Sequence, residues 1–569
     1  MRKISAFSKR FLDMARSGHS LWPERICLCL AVLIAYASVW PDEFIFEDKF
    51  LIVLNGLLRH WSTLPQLLTS PNFAGNGSQQ GFYRPVQMLV YFLIYQAFGA
   101  STVAFHALNI VLQALNACLL HHFGVRAGFR KGAAFAAALL WAVHPLHVVD
   151  VAYIPSTGEL LWSSFCLLGL ITLLPDFAPR RIWQAMIFFM LALSCKESAV
   201  VFPALAVITF FFVDKDRTRF AGYLRTWPLW LLATVYTAGW MLFIHKSGYN
   251  IYNIDQSGKA TYYQDYISNF TNRVLTSLAT LPVYARLIIW PAGLHTERVF
   301  PVFSTLLAWQ PIAGALMVGL GLLQILWGRL RRNKYSSAAG GLALSFGLLW
   351  FAVALSPVTG IVIPIDARIS DGWMYMPAMG LFLGVTEAVA GFFEKRQTTA
   401  RVLVLVLALS LGTATFLQNG VWRNPETLYQ NISRNGGRVD RLSSPLGLYY
   451  MEHGEFDKAA EQFRYAIDHP DGRPETAWGY AHMRVALALL QVRMDENDVS
   501  TLSDVISALP SCQHIPEAIG ELGKALQHDP DFHWAHEALA AIYRYQGNNQ
   551  MADFHEKQAE AILKKQGRP

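Results

Sequence analysis

The sequence predicts an all-α protein: a polytopic membrane helix bundle of about eleven spans followed by a C-terminal α-solenoid. Three observations predict it. Of 569 residues, 53% are hydrophobic and 15% charged, a balance more apolar than that of an ordinary soluble chain. Apolar runs follow one another from about Ile26 to Val421, many of them near the length that crosses a bilayer. After Trp422 the pattern changes to amphipathic helices with regularly spaced small and aromatic residues.

Charge orients the membrane part. Arg2, Lys3, Lys9, Arg10, Arg16 and Arg25 precede the first apolar run, so that end faces the cytoplasm. Basic clusters recur at Arg126, Arg130 and Lys131, at Arg180 and Arg181, and at Lys215, Arg217, Arg219 and Arg225. Two more follow, at Arg329, Arg331, Arg332 and Lys334, and at Lys395, Arg396 and Arg401. Between successive clusters the chain crosses twice. The net charge of +7 therefore sits in short loops and is an orientation signal, with no nucleic-acid footprint. The spans assigned are 26–40, 103–123, 132–149, 160–174, 183–193, 199–213, 227–244, 311–327, 338–363, 373–393 and 402–416. No small-residue cleavage site follows the first, which is expected to stay attached. The six cysteines have neither zinc spacing nor a disulfide framework, and are expected to pack as small hydrophobes.

Two apolar stretches, Val86–Phe98 and Val274–Trp290, are left out because either one alone would turn later basic clusters outward. They read as helices lying along the interface, in or beside the long outward loops 41–85 and 246–310. Together with His144–Gly158, Lys196–Ser198 and Asp366–Asp371, these loops collect on one face and suggest a cavity there. The division expected is a membrane domain over 1–421 and an outward tail over 422–569. In the tail, Leu446, Gly447, Tyr450, Gly454, Ala459, Phe463 and Ala466 have the spacing of a tetratricopeptide repeat. Partial copies at Ala518, Leu522 and Ala525 and at Ala540, Tyr543, Gly547 and Ala552 make about three to four repeats. Such arrays bind peptides on a concave face.

The outward loops hold the candidate chemistry. Glu47 and Asp48 are adjacent acids directly after the first span. Either they start a helix over Lys49–Leu58, where negative charge suits the dipole, or they do chemistry. In Tyr83-Arg84-Pro85, Arg84 is a planar fork suited to phosphate and equally to anchoring at the interface, with Pro85 opening a helix. His144 and His147, with Asp150 behind them, could hydrogen-bond a phosphate or ligate a metal. No third ligand stands at metal spacing, so a divalent metal is not favoured. Glu159 opens the next helix. Lys196-Glu197, in apolar surroundings, is either a structural ion pair or a head-group contact. The loop with Tyr249, Tyr252, Tyr262, Tyr263, Tyr266 and Phe270 suits an aromatic belt and also stacking on sugar rings, the belt being the safer reading. Arg273 and Arg368 lie in or near the remaining outward segments.

Taken in order, these motifs resemble the transmembrane and tetratricopeptide-repeat O-mannosyltransferases and their bacterial relatives, within the GT-C fold. The residues that carry the likeness are Glu47-Asp48, Tyr83-Arg84-Pro85, His144-Pro145-Leu146-His147, Glu159-Leu160-Leu161 and Lys196-Glu197. Asn272-Arg273, Tyr375-Met376-Pro377 and Trp422-Arg423-Asn424 continue it. The chain departs in having Glu47 where an Asp is usual, Val149 where an acid is usual, and a reduced motif over Arg368–Trp373. The resemblance implies inverting sugar transfer from a polyprenyl-phosphate donor to a hydroxyl, with Ser or Thr of an exported protein as acceptor. Asp48 would be the base and Glu47 its orienting partner. Arg84, Lys196, Arg273 and Arg368 would bind the donor phosphate. Tyr83, His144, His147, Asp150, Glu159 and Glu197 would order the pocket. The competing readings are transfer to a lipid or polysaccharide, and a non-catalytic scaffold that works through its repeats. A bacterial inner membrane with a periplasmic tail is the expected setting, the endoplasmic reticulum with a luminal tail the alternative.

Overall fold

A computed structural model describes residues 21–40, 43–76, 82–174, 177–213, 224–247, 264–331, 339–365, 367–469, 482, 484–487, 489, 505 and 509–565. Among these the regular structure is helical throughout. The N-terminal basic residues up to Arg16, the Lys215–Arg219 cluster, Arg332, Lys334, Asp366, the tyrosines from Tyr249 to Tyr263 and most of Trp478–Leu509 lie outside the described residues.

Six helices among the described residues are long and apolar enough to cross a membrane: Thr102–Ala127, Ile154–Leu173, Trp309–Gly328, Gly340–Val358, Asp371–Phe392 and Gln397–Trp422. A seventh crossing is made if Lys131–Ala142 and Pro145–Ala152, bent by 52°, count as one span. The protein is thus a multi-pass membrane protein. The other stretches expected to cross are also helical. Trp22–Ala35, Pro179–Leu193 and Phe202–Val213 have 14, 15 and 12 residues, short of the roughly 20 that span a bilayer, and Trp227–Ser247 has 21. The two stretches kept out of the span count form Pro85–Phe98 and Phe270–Ile289, neither among the six.

Two features fix how the bundle's helices meet. The span expected over 132–149 breaks at Val143, because Pro145 has no N–H and His144 caps the new turn instead. A carbonyl freed at membrane depth needs a donor. Gln113 Nε2 supplies one to Ala142 O at 3.0 Å, and Thr415 Oγ1 one to Val143 O at 2.7 Å. The Tyr375 hydroxyl donates to Gln113 Oε1 at 2.5 Å and accepts from Asn116 at 3.0 Å, so the break is fixed from three helices. The second feature is close helix approach. A Cβ on Gly380 would meet Trp350 at 2.1 Å, and one on Gly384 would meet Ala343 O at 2.6 Å. Glycine there lets helix Ala339–Leu355 lie against Tyr375–Phe392.

The tail packs as helix pairs, Asp440–Glu452 with Phe456–Asp468 and His533–Tyr545 with Asn549–Lys565. Phe463 is fully buried, and its ring sits where a Cβ on Gly447 would intrude at 2.5 Å. Gly454 turns the first pair with φ of +74°, a conformation that favours glycine.

Candidate active site

The segment that follows Trp22–Ala35 is pinned by Phe44 and Ile45, both buried. Between Ile45 and Asp48 the chain reverses, and Phe46 takes φ of +51°. A bulky residue in the left-handed region costs about 1–2 kcal/mol, and such strain persists only where the surroundings impose it. The turn separates the two acids. Glu47 is exposed, whereas Asp48 is 1% exposed. The Ile45 amide donates to Asp48 Oδ2 at 3.0 Å, and Oδ1 is buried with no hydrogen bond. Asp48 sits at the N-cap position of the next turn but makes no side-chain capping bond. The helix expected over Lys49–Leu58 is not continuous. It is a π-helical turn, Lys49–Val53, then a 3₁₀ turn, Gly56–Leu58, capped by Asn55. Capping therefore does not explain Asp48. Burial pushes its carboxyl well above the usual carboxylate range; the nearby Ile45 and Ile154 amides oppose this and Glu47 adds to it.

Around Asp48 stand Tyr153 and Ile154, from the segment after the broken helix, and Tyr91 of helix Pro85–Phe98. The Tyr153 hydroxyl faces Glu47, and the Tyr153 ring lies on Trp422, centroids 5.4 Å apart. Tyr91 donates to Ile154 O at 2.7 Å and lies within electrostatic range of both Asp48 and Arg84. Arg84, stacked on Phe82, makes a forked pair with Glu197 at 2.9–3.3 Å. The Val86 amide donates to Ser194 O at 3.1 Å, tying the Arg84 turn to the Lys196 loop. Lys196 pairs with Glu159. Asp150 feels Glu159, Lys196 and Asp371, and so connects this cluster to a second one.

Sequence reasoning missed that second cluster. Asp371 accepts from Arg298 at 2.6 and 3.0 Å and from the His295 amide at 3.0 Å. Only the position of Arg298 and Asp371 in outward loops hinted at them. They line or flank a narrow crevice walled by Leu146, His295, Asp371, Gln418, Trp422 and Asn431. None of Glu47, Asp48, Arg84, Lys196 and Arg273 lines it. The link to the acids runs through its Trp422 wall and Tyr153.

Other expected site residues have different tasks. Tyr83 donates to Leu68 O at 3.0 Å, back along its own loop. His144 Nδ1 accepts from the Leu146 amide at 3.2 Å, and Nε2 lies 2.9 Å from Ile288 O and must donate there. That ring staples the broken helix to Phe270–Ile289. His147 is fully buried between Trp141 and Tyr375, with Nδ1 3.8 Å from Asp150. Among the described residues no three His, Cys, Asp or Glu side chains group to hold a metal. Arg273 donates to Ile361 O at 3.1 Å and Ile267 O at 2.5 Å, and with Arg368 it faces Tyr266. The Ser356–Val358 turn, close in sequence to Ile361, abuts the turn after Lys196.

The chain is 23% identical over 417 residues to the protein O-mannosyl-transferase F38B6.6 of Caenorhabditis elegans, covering 70% of this chain and 56% of that protein. It is 24% identical to the human protein O-mannosyl-transferase TMTC4, covering 72% of this chain and 61% of that protein. The chain is a relative of these O-mannosyl-transferases. It spans a little over half the length of the relatives it matches. A shorter match, 33% over 153 residues, is to human TMTC1, covering 26% of this chain and 16% of that protein. No family model matches. Among solved structures, the Archaeoglobus fulgidus oligosaccharyltransferase gives a TM-score of 0.38 with 12% identity over 79% of this chain and 59% of that one, too loose to define the fold.

Proposed function

We propose that the protein is a membrane glycosyltransferase that moves a sugar from a polyprenyl-phosphate donor to a hydroxyl, with Ser or Thr of an exported protein, held by a tetratricopeptide-like tail, as acceptor. The relationship to O-mannosyl-transferases supports the reaction class. The observation that carries the assignment is Asp48: a buried carboxylate with one oxygen in no hydrogen bond, on a strained turn, with Tyr91 in electrostatic range of both it and Arg84.

In the proposed step the acceptor oxygen attacks the anomeric carbon from the face opposite the phosphate. The bond from that carbon to the phosphate oxygen breaks, and its electron pair leaves with polyprenyl phosphate. The acceptor proton passes to Asp48, whose burial makes it a stronger base than an exposed carboxylate. Glu47, held by Tyr153, orients the acceptor. Arg84 and Lys196, anchored by Glu197 and Glu159, stabilise the leaving phosphate, with Arg273 and Arg368 on the approach of the lipid chain. The bias of basic residues towards alternate loops supports a site outside the cytoplasm, and the short loops and compact tail favour a bacterial inner membrane with the tail in the periplasm.

The test is transfer by the purified full chain in lipid nanodiscs, with polyprenyl-phosphate mannose and a Ser/Thr peptide. Release of polyprenyl phosphate with a matching mass gain on the peptide supports the reading. Intact donor after long incubation with wild-type protein, across several sugars and acceptors, refutes it.

A further inference from the structure

The turn that carries Asp48 is gripped at both ends by two consecutive residues of the tail. On the C-terminal side, Lys49 Nζ donates to Glu452 Oε1 at 3.0 Å and Oε2 at 3.1 Å, across 403 residues of sequence. The Lys49 side chain is 13% exposed and that of Glu452 28%, so the pair is largely sheltered from solvent screening. On the N-terminal side, His453 Nε2 lies 3.1 Å from Glu43 Oε1. The His453 ring is itself oriented, because Nδ1 lies 2.8 Å from Tyr449 O and must donate to that carbonyl; with both ring nitrogens protonated, Nε2–H donates to Glu43.

Glu452 ends helix Asp440–Glu452 and His453 starts the turn into Phe456–Asp468, so both belong to the first helix pair of the tail. The tail is fixed to another outward loop as well. Asn431 Nδ2 donates to Leu294 O at 2.9 Å, and the Arg438 amide to Glu297 O at 2.7 Å. These anchors lie on the helix Pro425–Arg434 and the link just before the pair, and that helix packs on Asp440–Glu452. The pair is therefore braced through them and can transmit a constraint to the turn it grips. The turn needs one, since Phe46 sits at φ of +51° between the two gripped residues.

We infer that Glu452 and His453 are positioning residues for Asp48, so that the first helix pair of the tail sets the geometry of the base as well as recruiting acceptor. This rests on the transferase reading and adds to it a route by which the state of the tail controls turnover. An acceptor seated on the tail pair then bears on the strained turn through Glu43 and Lys49.

The experiment compares the full chain with Glu452→Lys, Lys49→Glu and the charge-swapped double variant, all in nanodiscs. Two quantities are read: hydrogen–deuterium exchange of the 43–53 backbone, and kcat and KM with polyprenyl-phosphate mannose and a short peptide. Each single variant should speed exchange of the turn and lower kcat by about three- to tenfold, with donor KM unchanged. The swapped pair should recover most of both, which a general loss of fold would not do. Wild-type exchange and kcat in Glu452→Lys, or a double variant no better than the singles, overturns the inference. Should wild type transfer nothing, the transferase reading fails by itself. The exchange data then still decide whether the tail holds the turn, by the same comparison of single and swapped variants.

Discussion

Replacing Asp48 by Asn should separate activity from stability. The carboxylate is 1% exposed, keeps one hydrogen bond from the Ile45 amide, and leaves Oδ1 unpaired. Asn keeps the shape, and its amide oxygen can accept the Ile45 bond. The cost of charge on an unsatisfied buried oxygen disappears, but the Asn Nδ2 brings buried N–H groups with no acceptor at about 1–3 kcal/mol, so stability at neutral pH should change little. The pH dependence follows from the direction of the shift. Because burial raises the folded-state pKa, Asp48 favours the folded state below the ordinary carboxylate range, and that advantage is lost as pH rises through the raised value. Turnover runs the other way, since a base must be deprotonated, and climbs over the same window. Wild type minus Asp48→Asn should therefore show stability falling with pH while wild-type kcat rises. Loss of the base should cut kcat by about 100- to 10,000-fold. Thermal unfolding in nanodiscs from pH 4 to 9, roughly the span around carboxylate titration, alongside polyprenyl-phosphate release, reads both. An Asp48→Asn protein that turns over at more than a tenth of the wild-type rate would falsify the base assignment. One that unfolds at a markedly lower temperature at neutral pH would show that the carboxylate is there to hold the loop together.

Tyr153→Phe removes the hydroxyl that faces Glu47 but keeps the ring on Trp422; kcat should fall about three- to tenfold with no change in melting temperature, and equal kcat would remove Tyr153 from the site. Glu197→Ala leaves the sheltered Arg84 guanidinium without its forked partner and should destabilise the protein by about 1–3 kcal/mol, measured as a lower unfolding temperature. An unchanged unfolding temperature would mean that Arg84 reaches water or another acid at no cost. Gly380→Ala drives a methyl into Trp350 and should cost about 1–3 kcal/mol or more, seen as poor recovery in detergent; full recovery would mean the two helices can part cheaply.

Much of the architecture can be read before any coordinates exist, because bilayer solvation writes itself into composition. The run 402–416, which carries no charged side chain, would mean little alone. The recurrence of such runs with basic loops between them identifies a multi-pass protein. In the tail, the small residues Gly447 and Ala459 mark the seam where two helices meet. Hydropathy, charge and side-chain size are local quantities, so they survive in the order of the residues. The helix expected over Lys49–Leu58 failed for the opposite reason. Its propensity is local, but the burial of Leu51, Ile52, Leu57 and Leu58 against Met88, Tyr91, Phe92 and Phe105 is not, and it imposes two tight turns in place of one helix.

The order of residues is thus enough to establish the class of the molecule. It also picks out the polar groups that neither bilayer nor solvent accounts for, Asp48, Arg84, Glu159, Lys196 and Glu197 among them. Their pairing had to wait for three dimensions. Glu47 and Asp48 are neighbours in sequence, yet one turn with a left-handed residue exposes the first and buries the second. His144 and His147 share a helical spacing but serve a helix break and a buried aromatic niche. Arg298 finds Asp371 across 73 positions, and Lys49 finds Glu452 across 403. Burial and ion pairing depend on distances through space, and the closing of distant loops on one another leaves no periodic trace along the chain.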